Sequence, residues 1–208
     1  MWYVIVTCRT LSWTLTSLLS SMIMLSALLS PQWLLGKGEN SIGVYTRCME
    51  KQRTNMLQCT TLATRGLATD AEVFPTEWKI ATVFISIGLT IMFVSVVMSF
   101  AACCFQSIFK KSLFTTTGAA QTIAGIFYIL ALTLHPMAWN ATRVVKLCDN
   151  SSPFYPGHCA IGLGLWLALA GTGLTFLAAM LSMPADKSTN SDKVQDRIYE
   201  GHSLICLL

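Results

Sequence analysis

Four long apolar runs constrain this 208-residue chain more than any other feature of its sequence. They lie at about residues 10–30, 79–104, 115–135 and 160–183, and Asp, Glu, Lys and Arg occur only near their ends. Each run is long enough to cross about 30 Å of hydrocarbon as a helix. Charged residues make up 12% of the chain, whereas a soluble domain has about 25%. The sequence therefore predicts a membrane protein with four spans.

The first run has a second interpretation, because a cleaved signal peptide also places a basic residue, here Arg9, before an apolar stretch. This run is long for the apolar segment of a signal peptide. Pro31, Gln32 and Trp33 follow it, which is typical of a helix exit with an aromatic anchor at the membrane interface. We favour a span and keep the signal peptide as the alternative.

The spans define one tetraspan domain over residues 1–183 and a cytoplasmic tail over residues 184–208, with loops at about 31–77 and 137–159. In the first loop, the alternation from Ile42 to Cys48 predicts a strand, and residues 49–58 predict a turn. Leu57 to Leu62 can pair back as a second strand, with Cys59 opposite Cys48. Residues 66–74 predict a short helix.

Each loop contains a cysteine pair of short spacing, Cys48 with Cys59 and Cys148 with Cys159. Two such pairs predict two local disulfides and hence an oxidising compartment. Metal ligation is the weaker alternative, because neither pair has C-x-x-C spacing and only His158 lies nearby. We therefore predict no metal ion and no cofactor.

The second loop also contains two glycosylation sequons, at Asn140 and Asn150. Asn150 is the better acceptor, because Asn140 lies close to the third span. The distribution of Lys and Arg runs against the positive-inside rule, so the cysteine pairs and sequons orient the chain instead. They predict extracellular loops, both termini in the cytoplasm, and delivery to the plasma membrane by the secretory route.

Three features of the spans suggest a modification, a functional group and close helix packing. Cys103 and Cys104 precede Lys110 and Lys111 and are candidates for S-palmitoylation, with two buried thiols as the alternative. His135 is more typical of a polar cap at the water boundary than of a proton relay. Small residues recur every fourth position along the fourth run and predict close helix packing: Ala160, Gly164, Ala168 and Thr172, then Gly171, Thr175 and Ala179.

The tail has two features that suggest contacts of its own. Val194 and Ile198 stand four residues apart, which predicts a short amphipathic helix. The apolar end at residues 204–208 could enter a PDZ-type groove. A cytosolic partner of the tail is therefore possible.

The first loop resembles that of the claudin-like tetraspans, with Trp33, Gly43-Val44-Tyr45, Arg47-Cys48 and Cys59 in order. Tyr45 stands where claudins have tryptophan, and the second cysteine pair is foreign to them. The chain resembles the lipoma HMGIC fusion partner-like (LHFPL) tetraspan family more closely, in Pro31-x-Trp33-Leu34, Arg47-Cys48, Trp78, Pro136-x-x-Trp139 and Cys159-x-Ile161-Gly162. Its ends, at residues 4–9, 191–195 and 204–208, resemble the subfamily-2 branch.

This resemblance implies a membrane α+β fold: a claudin-like, left-handed four-transmembrane-helix bundle with a small extracellular antiparallel β-sheet. It implies one further strand from the second loop. Several family members are auxiliary subunits that traffic, stabilise or cluster a larger membrane protein, which implies a similar role and an integral membrane partner here.

The remaining function classes are less favoured by the residues. A claudin-like adhesion or paracellular-barrier protein is the alternative function. A channel is disfavoured, because ion pathways usually need charged residues at mid-membrane. We predict no enzyme, since no catalytic motif is present and the three histidines are scattered. A net charge of only +4, spread along the chain, predicts no nucleic-acid partner.

Overall fold

The computed structural model describes residues 4–51, 56–61, 75–102, 107–108, 111–201 and 204–207. The helices in these ranges are α1 (Cys8–Leu29), α2 (Thr76–Ala101), α3 (Leu113–Met137), α4 (Thr142–Cys148), α5 (Leu163–Thr189) and α6 (Asp192–Tyr199), with a 3₁₀ turn at Ala138–Asn140. Within the described ranges, four helices are long and apolar enough to cross a membrane, namely α1, α2, α3 and α5. The predicted helical part of the fold is therefore confirmed.

The strands are short. In chain order they are β1 (Val4–Thr7), β2 (Leu34–Leu35), β3 (Ser41–Ile42), β4 (Thr46–Lys51), β5 (Met56–Thr61), β6 (Ser107–Ile108), β7 (Lys111–Ser112), β8 (Ala160–Ile161) and β9 (Leu204–Leu207). The short helix predicted at 66–74 lies outside the described residues, and so do Cys103 and Cys104.

The chain divides into two compact units. We call Ile23–Ile87 with Phe127–Ala170 the sheet unit, and Met1–Met22 with Gly88–Ile126 and Gly171–Leu208 the terminal unit.

The sheet unit contains a five-stranded antiparallel sheet in the order β5-β4-β3-β2-β8. The predicted register of the first hairpin is confirmed, because Cys48 on β4 lies opposite Cys59 on β5. The added strand from the second loop is confirmed too: Leu34 pairs with Ile161. The sheet is therefore built from both loops.

The continuous strand predicted from Ile42 to Cys48 is wrong. The chain reverses between β3 and β4, where the Gly43 N–H donates to the Thr46 carbonyl at 2.8 Å. A Cβ on Gly43 would collide with the backbone of Ser30 and Pro31, so this close approach requires glycine. β4 then continues to Lys51 and β5 begins at Met56, so both ends of the turn predicted at 49–58 are strand instead.

An apolar cluster underlies this sheet and its connections. Its buried members come from both loops, from the start of α2 and from the 3₁₀ turn after α3: Leu34, Ile42, Trp78, Ala138, Trp139, Val144, Cys148 and Cys159. Because the two loops share one core, neither can bury its apolar side chains without the other.

In the terminal unit, polar side chains join helices in their apolar segments. Trp13 on α1 donates its indole N–H to the Gln121 side-chain oxygen on α3, at 3.3 Å. Gln121 donates in turn to the Ser17 hydroxyl at 2.8 Å. Further along α1, the Ser20 hydroxyl lies 2.7 Å from that of Thr175 on α5. These pairs satisfy polar groups where no water is available.

The small-residue pattern of the fourth run predicts close packing, and α5 shows it. Gly164, Ala168 and Thr172 are buried, as are Gly171, Thr175 and Ala179, whereas Ala160 is exposed. The Ser20 hydroxyl reaches the Gly171 carbonyl at 3.0 Å, which a large side chain there would obstruct. α5 extends past the predicted end of the run to Thr189, with Pro184 inside it.

The two ends of the chain pair with each other in the terminal unit. β1 and β9 form a parallel two-stranded sheet, with Val4 opposite Leu204. Ile5 and Ile205 pack against Val194 of α6, and Ile198 packs beside them, so the predicted amphipathic helix is confirmed. A PDZ-type groove would have to compete with β1 for the segment that forms β9.

Replacement of Gln121 by Leu should destabilise the terminal unit. The Trp13 indole N–H and the Ser17 hydroxyl would each lose a partner in an apolar segment. We expect a loss of about 1 kcal/mol in the free energy of unfolding, measured by thermal unfolding of the purified protein in detergent. Thr122→Val is the matched control, because Thr122 is exposed on the same helix and bonds only to its own turn. Equal effects of both substitutions would contradict this.

Candidate functional site

A fully buried histidine lies among three tryptophans in the sheet unit. The ring of His135 stacks on that of Trp78 at a centroid distance of 5.1 Å and an interplanar angle of 4°. Trp33 lies at 4.6 Å with a tilted ring, and Trp139 meets the histidine edge-on at 6.2 Å. Such aromatic pairs each contribute about 0.5–1.5 kcal/mol beyond the area they bury.

Hydrogen bonds hold all three indole rings of this tryptophan–histidine cluster. Trp33 donates its ring N–H to the Ala27 carbonyl at 2.7 Å, and Trp78 donates to the His135 carbonyl at 3.0 Å. Trp139 donates to the Nδ1 atom of His135 at 3.4 Å. An indole N–H only donates, so Nδ1 accepts, and the neutral histidine carries its proton on Nε2.

This geometry corrects the interpretation of His135 as a polar cap at the water boundary. The side chain is fully buried, and its Nε2 atom has no hydrogen-bond partner among the described residues. The sequence shows a histidine before a proline at the end of an apolar run. It does not show that Trp33 and Trp78, both remote in sequence, join the nearby Trp139 in enclosing it.

Gly164 makes room for this cluster at the start of α5. A Cβ there would approach Trp33 Cδ1 to 2.5 Å. The Gly164 N–H donates to the Gln32 carbonyl at 2.7 Å, which fixes the start of α5 beside β2. The start of α5, which follows the second loop, is thereby attached to the first loop beside the tryptophan–histidine cluster.

Disulfide bonds close both loops of the sheet unit. Cys48 is bonded to Cys59 across β4 and β5, and Cys148, the last residue of α4, is bonded to Cys159, just before β8. Each bond spans 11 positions. A closed loop of this size contributes about 3 kcal/mol in the chain-entropy description. Within the described residues, no group of three His, Cys, Asp or Glu side chains converges as metal ligands would.

The other residues of the first-loop motif lie around the turn between β3 and β4. Gly43 forms the turn, and Tyr45 is half-buried beside it. Arg47 is half-buried on β4, and Arg143 lies on α4 in the second loop. Burial, and secondarily the charge of Arg143, lowers the pKa of Arg47. The charge of a second-loop arginine thus acts on a residue of the first-loop motif, although the sequence gives no reason to pair the two.

The second loop presents two exposed aromatic side chains at its tip. Phe154 is 61% exposed and Tyr155 58%. Backbone hydrogen bonds between Ser152 and Tyr155 close the turn, and the Phe154 N–H donates to the Pro136 carbonyl at 3.0 Å. Sequence reasoning missed this aromatic tip, although Phe154-Tyr155-Pro156 inside a cysteine-bounded loop was a usable signal.

Both sequon asparagines are accessible. Asn140 ends the 3₁₀ turn and Asn150 follows α4, and both side chains are exposed. Asn150 has a φ of 51°, in the left-handed region that asparagine tolerates. Their modification stays a prediction.

Four apolar helices with a disulfide-bonded sheet built from both loops define a tetraspan membrane protein. The family model of the lipoma HMGIC fusion partner-like proteins matches residues 9–184. The chain is 35% identical to a human LHFPL tetraspan subfamily member 2 protein and 38% identical to a zebrafish member 2a protein, each over the full length of both chains. It is 23% identical to a zebrafish member 3 protein over 89% of this chain and 87% of that one.

The chain therefore belongs to the LHFPL tetraspan family and is a multi-pass membrane protein. The resemblance that the loop motifs and the chain ends indicated is confirmed.

Replacement of His135 by Leu should destabilise the sheet unit. Leucine is apolar and accepts no hydrogen bond, so the buried Trp139 indole N–H would be left without a partner. We expect a loss of about 1–3 kcal/mol in the free energy of unfolding, seen as a lower melting temperature in detergent. His158→Leu is the matched control, because His158 is exposed in the second loop. A melting temperature unchanged by His135→Leu would contradict this.

Proposed function

We propose that this protein is a non-enzymatic auxiliary or scaffold subunit that binds, traffics or stabilises another integral membrane protein. The observation that carries this proposal is the aromatic tip, where Phe154 and Tyr155 stand exposed on a loop closed by the Cys148–Cys159 bond. Tyrosine and phenylalanine are enriched in protein interfaces. A rigid loop also loses little conformational entropy when a partner binds it.

The sheet unit would serve as the principal binding surface, with faces of the membrane helices as the second. Its sheet is secured by two disulfides, a shared apolar core and the tryptophan–histidine cluster. These features support a preformed surface, to which a partner would bind without ordering a flexible segment.

The same unit is proposed to face the cell exterior, with both termini cytoplasmic and the protein at the plasma membrane. Disulfides persist in oxidising compartments, and both bonds lie in the sheet unit. Both sequons are exposed there as well, as sugar transfer requires.

Glycosylation at Asn150 tests this orientation. In mammalian cells, N-glycosidase digestion should increase the gel mobility of the protein, because the attached sugar is removed. Asn150→Gln and Ser152→Ala should each abolish that shift, since both destroy the same sequon. Asn140→Gln is the control and should leave it. A wild-type protein unaffected by the glycosidase, together with a sheet unit reached only by reagents applied from the cytoplasm, would reverse the proposed orientation.

Substitution of the aromatic tip tests the binding role. Affinity purification of cross-linked native membranes should recover a reproducible integral membrane partner with the wild type. Phe154→Ser combined with Tyr155→Ser should reduce that recovery about tenfold or more, because buried aromatic anchors dominate interface energies.

The matched control is Tyr199→Ser, which removes an aromatic side chain that is 88% exposed on α6 of the terminal unit. Recovery that is equal for all variants, or no reproducible partner at all, would count against the proposal. A change in paracellular conductance between cells expressing the protein would instead favour claudin-like adhesion.

A further inference from the structure

A groove of about 340 Å³ lies between α2 and α3 within the terminal unit. One wall is a stripe of α2 residues that share a helix face, and the other consists of small side chains of α3. The residues that define the two walls are Ile91, Val94 and Met98 on α2, and Thr116, Thr117 and Ala120 on α3. Small side chains usually let membrane helices approach closely, yet here the two helices leave a space between them.

The bilayer is the surrounding of this groove, because α2 and α3 are both long and apolar enough to span a membrane. Val94, which lines the groove, is 53% exposed, so the groove opens towards the lipid. No charged side chain is among the described residues that line it. The Ser95 hydroxyl donates to the Ile91 carbonyl at 2.8 Å, and the Thr116 hydroxyl to the Ser112 carbonyl at 3.1 Å. These walls suit an apolar molecule of the membrane better than an ion or a polar peptide.

The dimensions of the groove narrow the choice of that molecule. From Thr90 to Met98 the lining extends for about 12 Å along α2 at the rise of an α-helix. The mean cross-section of the groove is then roughly 30 Å². A transmembrane helix about 10 Å across needs more than twice that area. A single file of carbon atoms, packed about 4 Å apart, fills only about half of it.

A flat fused-ring lipid has the intermediate width that this cross-section requires. Its rigid rings lose little conformational entropy on binding, whereas a flexible acyl chain must be ordered. Such a lipid keeps its hydroxyl near the membrane–water boundary, and Thr116 lies in the first turn of α3, which begins at Leu113. The Thr116 hydroxyl donates to its own helix and can still accept a hydrogen bond from a ligand.

We propose that the groove between α2 and α3 binds a sterol, with the sterol hydroxyl at Thr116 and the fused rings between Val94 and Ala120. The small side chains of α3 then make room for a lipid rather than for close contact with α2. The site belongs to the terminal unit and does not depend on the auxiliary-subunit function, which rests on Phe154 and Tyr155 of the sheet unit.

The full-length protein in phosphatidylcholine nanodiscs provides the test. The probe is a cholesterol analogue that carries a photoreactive diazirine on its ring system. Illumination should attach the probe to lining residues of α2 and α3, located by mass spectrometry of the peptides. An excess of unmodified cholesterol should prevent this labelling in a saturable manner, because both sterols compete for one groove.

Ala120→Phe should reduce the labelling about tenfold or more, because the added ring occupies space that the sterol needs. Its melting temperature should be unchanged or higher, since the ring fills a groove. Ala119→Phe is the matched control, because Ala119 is exposed on the same helix and is not among the described lining residues. It should label like the wild type.

Thr116→Val tests the position of the hydroxyl without a change of shape. It should reduce the labelling about threefold, as expected for one hydrogen bond within a membrane. Thr115→Val is its control, because Thr115 is exposed and is likewise absent from the described lining.

Three outcomes would overturn the proposal. The first is equal labelling of Ala120→Phe and Ala119→Phe, and the second is equal labelling of Thr116→Val and Thr115→Val. The third is a photoreactive phosphatidylcholine that labels the same residues as efficiently as the sterol and is blocked equally by Ala120→Phe, because the groove would then hold an acyl chain.

Discussion

The packing of three indole rings around His135 is the interaction on which the sheet unit depends. Trp33 comes from the first loop, Trp78 from the start of α2, and Trp139 from the 3₁₀ turn after α3. These segments are distant in sequence and share no backbone hydrogen-bond ladder. The histidine contacts all of them, so its burial fixes the positions from which both loops depart.

Buried polar groups have different kinds of hydrogen-bond partner in the two units. In the terminal unit, small hydroxyl and amide side chains satisfy each other between helices, as Gln121 does with Trp13 and Ser17. In the sheet unit, the indole N–H groups bond mostly to backbone carbonyls, while covalent bonds hold the loops. Arg143 is an exception, since its buried nitrogen has no acceptor among the described residues.

Much of this fold could be predicted from the sequence, because its strongest signals are local. Uninterrupted apolar length determines the spans, and the spacing of Val194 and Ile198 reveals α6. The hairpin register followed from one cysteine pair. Alternation alone could not reveal the reversal at Gly43, since a strand and a tight hairpin share that pattern. β8 has only two residues and no pattern of its own, and only the family resemblance indicated it.

The candidate sites were harder to predict, because they join residues that are remote in sequence. Nothing near Arg47 points to Arg143, because the sequence presents Arg47 as part of the first-loop motif and Arg143 as a charge in the second loop. The aromatic tip differs, since Phe154 and Tyr155 are adjacent and lie between two bonded cysteines. Their exposure depends on the turn at Ser152, which composition does not reveal.

The pairing of β1 with β9 has a consequence for biosynthesis. On the ribosome, the residues of β1 emerge before any helix is made, whereas those of β9 emerge after the last one. β1 must therefore wait, with its backbone donors and acceptors unmatched by β9, until the residues that follow α6 have been made. A nascent chain that stops before β9 would display an unpaired strand that quality-control factors could recognise.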